Sequence, residues 1–130
     1  MIYIAPSILA ADASRLGEEV AKIESAGAQY LHLDIMDGNF VPNISYGPNV
    51  VESLRPLSKL VFDVHLMINN PENKLDWFDF GENDYVSVHY ESTPHIHKAL
   101  ITIKKRGANR RCSAFLSGLP LSSPALAVLP

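Results

Sequence analysis

The sequence holds a single cysteine, Cys112. An intrachain disulfide is thereby excluded, and a lone thiol fits a reducing, cytoplasmic setting. No run approaches the ~18 apolar residues that a membrane-crossing helix needs, so no membrane partner is expected. An excess of one charge is also missing. The 11 Lys and Arg against 14 Asp and Glu leave a net charge of −3, which gives no general affinity for nucleic acid. The opening residues Met1-Ile2-Tyr3-Ile4-Ala5-Pro6 lack the basic start of a secretory signal. There is no Walker-type loop, no GxSxG and no CxxC. With 47% hydrophobic and 19% charged residues in 130, the chain is neither disordered nor membrane-spanning in character, and one domain is expected.

What the sequence does hold is the stretch Tyr30-Leu31-His32-Leu33-Asp34-Ile35-Met36-Asp37-Gly38. Apolar and polar residues alternate, the period of a β-strand. His32, Asp34 and Met36 share one face, and Leu31, Leu33 and Ile35 share the other. His32 and Asp34 thus point the same way, roughly 6.6 Å apart along the strand. Such a pair is either a buried hydrogen-bonded couple or two ligands of one metal ion.

The rest of the chain alternates strands with helices. Residues 2–9 read as a short buried strand, with Pro6 marking an irregular or edge position. Asp12 or Ser14 can cap a helix running to about Ser25, with Gly27 as its stop. Gly47-Pro48 opens a second helix to about Arg55, closed by Pro56. Residues 60–68 form a strand with Asp63, His65 and Met67 on one face. A weak helix follows Asn70-Pro71 to about Phe80. Tyr85 to Glu91 is a strand with Ser87 and His89 on one face, and a helix spans about 95–106. The order is β-α four times over, which implies parallel strands with right-handed crossovers. An open doubly wound sheet and part of a (β/α)₈ barrel both fit. The barrel is favoured because the polar strand faces converge inside it, whereas apolar helices cover both faces of a doubly wound sheet.

Three residues carry the candidate chemistry: His32, Asp34 and His65. Two imidazoles and a carboxylate suit Fe²⁺, Zn²⁺, Co²⁺ or Mn²⁺. A buried polar cluster satisfied by hydrogen bonds is the alternative. Met36 and Met67 lie two residues beyond proposed ligands and read as core filler or as a dry lining to the site. Ser7 is placed for a substrate hydroxyl contact or for a plain strand-end hydrogen bond, and His89 is ambiguous in the same way. His95 and His97 read as solvated. The basic residues Lys104, Lys105, Arg106, Arg110 and Arg111 read as a solvated helix end, since no aromatics interleave them.

Ser7-Ile8-Leu9-Ala10-Ala11-Asp12, His32-Leu33-Asp34-Ile35-Met36-Asp37-Gly38-Asn39-Phe40-Val41-Pro42-Asn43, Asp63-Val64-His65-Leu66-Met67 and Val88-His89-Tyr90-Glu91 closely resemble the ribulose-phosphate 3-epimerase family, in order from residue 2 to about 109. The resemblance implies a (β/α)₈ barrel of which the first four βα units are present. It implies conversion of D-ribulose 5-phosphate to D-xylulose 5-phosphate, in the pentose phosphate pathway, with one divalent metal ion. His32, Asp34 and His65 are then metal ligands, and Asp34 is also one of two acid/base groups. Ser7 and His65 contact the substrate, and Met36 and Met67 line the site. A related ketohexulose-phosphate 3-epimerase and a non-catalytic half-barrel are the alternatives, and a homo-oligomer stays open.

The resemblance divides the chain into an N-terminal half-barrel, residues 1–109, and a divergent tail, residues 110–130. The family's second catalytic aspartate, also its fourth metal ligand, and its phosphate-binding loops lie on later strands. The tail does not read as the next strand. Codons CGC CGG TGT AGC for Arg110-Arg111-Cys112-Ser113, read one base later, give the Ala-Gly-Val usual in the family. A frameshifted tail with a premature stop is therefore expected, with a genuinely evolved half-barrel that needs a partner over its open edges as the alternative, and the coding DNA decides it.

Overall fold

The structure is a computed structural model and describes residues 2–113. Four parallel strands lie in sequence order: β1 (Tyr30–Met36), β2 (Val61–Met67), β3 (Tyr85–His89) and β4 (Asn109–Ser113). Helices α1 (Leu16–Ser25), α2 (Pro48–Leu54) and α3 (Ile96–Lys105) alternate with them. This is an α/β architecture consistent with part of a (β/α)₈ barrel. No helix among the described residues is long and apolar enough to cross a membrane.

The alternation in β1 is reproduced as burial. Leu31, Leu33 and Ile35 are buried, while His32, Asp34 and Met36 are half-buried. The outward face of the sheet, with Leu33, Phe62, Val64, Leu66, Val86 and Val88, belongs to one core with Val20, Val51, Leu54, Ala99 and Ile103 of the helices. Each such side chain contributes roughly 1.5–3 kcal/mol by leaving water. The opposite face carries the polar residues. In-register pairing sets them in rows: His32 beside Asp63, then Asp34, His65, Ser87 and Arg111 across all four strands, then Met36 beside Met67.

Four segments differ from the sequence reading. Residues 2–9 are neither a regular strand nor a buried one: Ile8 is buried, but Ile2, Tyr3, Ile4 and Leu9 are exposed. The segment lies along β1, where Tyr30 N–H donates to Ile4 O at 3.3 Å and His32 N–H to Pro6 O at 2.9 Å, with one parallel bridge at Ser7. Pro6 has no N–H to continue a ladder, and Ser7 Oγ accepts from Leu9 N–H to start a 3₁₀ turn at Ile8–Ala10. The weak helix after Asn70 is two 3₁₀ turns, Pro71–Asn73 and Leu75–Trp77, because Phe78 leaves the turn extended to bury its ring. Pro56 sits within a 3₁₀ turn, Arg55–Leu57, instead of closing the segment.

The largest difference is the start of the tail. Asn109–Ser113 is a strand, paired with β3 from Tyr85–Asn109 to His89–Ser113. Backbone pairing recruits this polar segment, and Asn109 N–H also donates to Asp84 O at 2.7 Å. The tail reading for residues 114–130 lies outside the described residues.

Candidate metal centre

The loop that leaves β1 sets its C-terminal end. Gly38 has φ +72°, and a Cβ there would stand 2.9 Å from Ile44 Cγ1, so only glycine fits both the conformation and the space. Asp37 organises the same turn. Its Oδ1 accepts from Asn39 and Phe40 N–H, both at 3.0 Å, and its Oδ2 from Asn69 N–H at 2.9 Å and Lys74 Nζ at 3.1 Å. Burial pushes this carboxyl upward, but the Phe40, Asn69 and Asn39 amides and Lys74 outweigh it and hold it well below the usual range. A lowered carboxyl contributes stability above its unfolded value, near 4, and loses it as pH falls through the folded one. Asp37→Asn is therefore expected to cost roughly 1.5–3 kcal/mol at pH 7, and the cost shrinks toward acid. Urea melts at pH 7 and pH 3 check this, and an equal loss at both would contradict it.

Within that frame Asp34, on β1, is the centre of the cluster. Its Oδ1 lies 3.1 Å from His32 Nε2 and 3.1 Å from His65 Nδ1, and its Oδ2 accepts from Ser7 Oγ at 2.7 Å. One ligand atom from each of His32, Asp34 and His65 lies within 4.8 Å of the others. Ligand atoms around a cation with bonds of about 2.0–2.1 Å stand roughly 3.0–3.4 Å apart. The Asp34 separations match, and two imidazoles with one carboxylate are a donor set for the named divalent ions. The residues present therefore fit such a cation.

The carboxylates and imidazoles of the cluster set one another's charge. Hydrogen bonds to Asp34 and then Asp63 raise His32 to about 9. Burial pushes Asp34 upward, but hydrogen bonds from His32, His65 and Ser7 hold it well below the carboxylate range. His89, 3% exposed, is lowered to about 4 by burial and then by His65. Its Nε2 is 2.7 Å from His65 Nε2, so one ring donates and the other accepts. If His65 held a cation through Nδ1, its Nε2–H would be the donor and His89 would fix the ring.

The expected site residues are thus brought together on one sheet face. Ser7 joins the cluster through Asp34. Met36 and Met67 face each other in register one step beyond Asp34 and His65. His95 and His97 are exposed, as expected. Two basic residues are not solvated as expected. Arg106 donates to Asp76 Oδ1 at 3.0 Å and to Phe78 O at 2.6 Å. Arg111 donates to Asp63 Oδ1 at 3.1 Å and lies 4.2 Å over the Tyr85 ring. Asp63 had no assigned role in the sequence. Its signal was its place on the His65 face.

A parallel sheet with helices outside and a His–Asp–His cluster inside defines the class as α/β proteins of the barrel kind, with an inner face whose residues could hold a metal ion. The sequence model of the "Ribulose-phosphate 3 epimerase family" matches residues 3–124. The chain is 50% identical over 108 residues to "Ribulose-phosphate 3-epimerase" of Synechocystis sp., covering 82% of this chain and 47% of that protein. It is 48% identical over 107 residues to the protein of the same name from Bacillus subtilis, covering 82% and 49%. It is 47% identical over 125 residues to "Ribulose-5-phosphate-3-epimerase, chloroplastic" of Arabidopsis thaliana, covering 94% and 44%. The chain belongs to the ribulose-phosphate 3-epimerase family. It spans about half the length of the curated relatives it matches.

Proposed function

We propose that this chain supplies the N-terminal half of a divalent-metal centre that inverts C3 of a pentulose phosphate, D-ribulose 5-phosphate to D-xylulose 5-phosphate. The observation that supports it best is the position of Asp34 Oδ1, 3.1 Å from an imidazole nitrogen on either side. When bound, the cation supplies Lewis-acid stabilisation of the negative charge that develops on the substrate oxygens. Asp34 holds the proton that leaves or returns at C3. Ser7, already donating to Asp34 Oδ2 at 2.7 Å, can turn its hydroxyl to the substrate, and His65 lies beside it. Met36 and Met67 exclude water from the rim. In this reading residues 1–109 are the N-terminal half of the barrel, onto which Asn109–Ser113 docks, in a cytoplasmic protein. The second acid and the phosphate cradle come from a further half.

The test is a chimaera that joins residues 1–108 to the C-terminal half of the Bacillus subtilis relative, loaded with Fe²⁺, Zn²⁺, Co²⁺ or Mn²⁺. Turnover of D-ribulose 5-phosphate is expected. A folded, metal-loaded chimaera that stays at background would overturn the proposal, and ketohexulose phosphates assayed beside it decide sugar length. The 130-residue chain alone is expected to stay at background. Full activity from it as a monomer would refute the half-site.

A further inference from the structure

We propose that Asp63 is the positioning residue of the His32 ligand and that Arg111 opposes it, so that the row Arg111–Asp63–His32 sets how tightly the centre holds its cation. This rests on the metal reading above and deepens it. Asp63 is the register neighbour of His32 on β2 and is 7% exposed. Its Oδ2 lies 2.9 Å from His32 Nδ1, while His32 Nε2 faces Asp34. A carboxylate can only accept, so both His32 nitrogens donate as the cluster stands; a cation that replaced the Nε2 proton would meet that nitrogen's lone pair, with Nδ1–H still held by Asp63. The same bond fixes the ring plane and makes the imidazole a stronger donor.

The other oxygen of Asp63 is held by Arg111. Nη1 donates to Oδ1 at 3.1 Å, and the guanidinium is steadied over Tyr85 at 4.2 Å. The Arg111 side chain is 37% exposed, on the edge strand, so it can be changed without opening the core. Its positive charge draws on the carboxylate that His32 depends on and adds repulsion toward any cation beside it. Removing Asp63's charge and removing Arg111's charge therefore act on metal affinity with opposite signs. A merely structural Arg111–Asp63 pair gives the same sign for both, since either change would loosen the sheet.

The experiment is Co²⁺ titration of the 130-residue chain, followed by visible absorption of the bound ion, with the thermal midpoint of the metal-free form measured beside it. Asp63→Asn is expected to weaken Co²⁺ binding by about 10- to 100-fold and to alter the spectrum. Arg111→Met is expected to tighten it by about threefold or more. Unchanged affinity in Asp63→Asn, or weakening in both variants in step with their thermal midpoints, overturns the proposal. Should Asp63→Asn fail to fold, Arg111→Met decides: tighter binding supports the proposal, and equal or weaker binding overturns it. A folded wild-type chain that takes up no Co²⁺ overturns both this inference and the metal reading, whereas wild-type binding with unresponsive variants overturns this inference alone.

Discussion

Replacing Asp84 with alanine is expected to remove roughly 3–5 kcal/mol of stability, because one buried carboxylate serves two backbone amides and a guanidinium at once. Asp84 lies just before β3 and is 2% exposed. Its Oδ2 accepts from Gly81 N–H at 2.7 Å, and its Oδ1 from Phe62 N–H at 3.1 Å and Arg55 Nη1 at 3.2 Å, with Arg55 Nη2 closing a bidentate pair. The Arg55 guanidinium lies 3.7 Å over the Phe62 ring. One carboxylate thus ties the end of α2 to the start of β2 and to the turn before β3. Alanine leaves a guanidinium unpaired against an aromatic ring and strips two backbone amides of their acceptor. Domains hold only about 5–15 kcal/mol in total, so the loss takes a large share of it. Asp84→Asn keeps one acceptor oxygen and is expected to fall between. Urea denaturation followed by far-UV circular dichroism reads the difference, and a loss under about 1 kcal/mol for alanine would show that solvent replaces these partners.

That residue was invisible in the sequence, and the reason applies more widely. Gly81-Glu82-Asn83-Asp84 has the composition of a solvated turn, and its partner Arg55 is 29 residues away. Period carries no information about such a contact. Where period does carry information, the sequence was legible. Alternation within Tyr30–Gly38 marked the strand that the structure shows as β1, Tyr30–Met36, and it set His32, Asp34 and His65 on one inner face. It gave no sign of β4, because Asn109-Arg110-Arg111-Cys112-Ser113 has no apolar face. Neighbouring backbone, the Asp63 carboxylate and the Tyr85 ring supply there what the segment's own propensity does not. The same distance effect hid Asp63 as a partner of Arg111, 48 residues on. Pro6 acted locally and was legible as a warning: it kept the first segment from becoming a full strand.

Asp34→Asn is expected to abolish Co²⁺ uptake by the chain and to cut turnover of the chimaera by about 10²–10⁴-fold, the range for losing a positioned acid/base group. The carboxylate serves three partners at once. Oδ1 meets both imidazoles at 3.1 Å, and Oδ2 takes the Ser7 hydroxyl at 2.7 Å. An amide has one acceptor oxygen and one NH₂ group, which only donates. If the oxygen stays between the imidazoles, the NH₂ group meets Ser7 and no group is left to hold a proton. If the amide flips, its donor points where a cation must sit. Either orientation removes the anionic ligand and the proton acceptor together, while the residue's volume and the strand are unchanged. A plain structural role predicts otherwise. A buried acceptor replaced by its neutral isostere costs stability yet leaves cation binding and turnover close to wild type. Wild-type Co²⁺ affinity in Asp34→Asn would therefore return His32, Asp34 and His65 to a hydrogen-bonded cluster. Affinity and rate lost together, with a thermal midpoint within a few degrees of wild type, would leave ligation and proton transfer as the work of this one carboxylate.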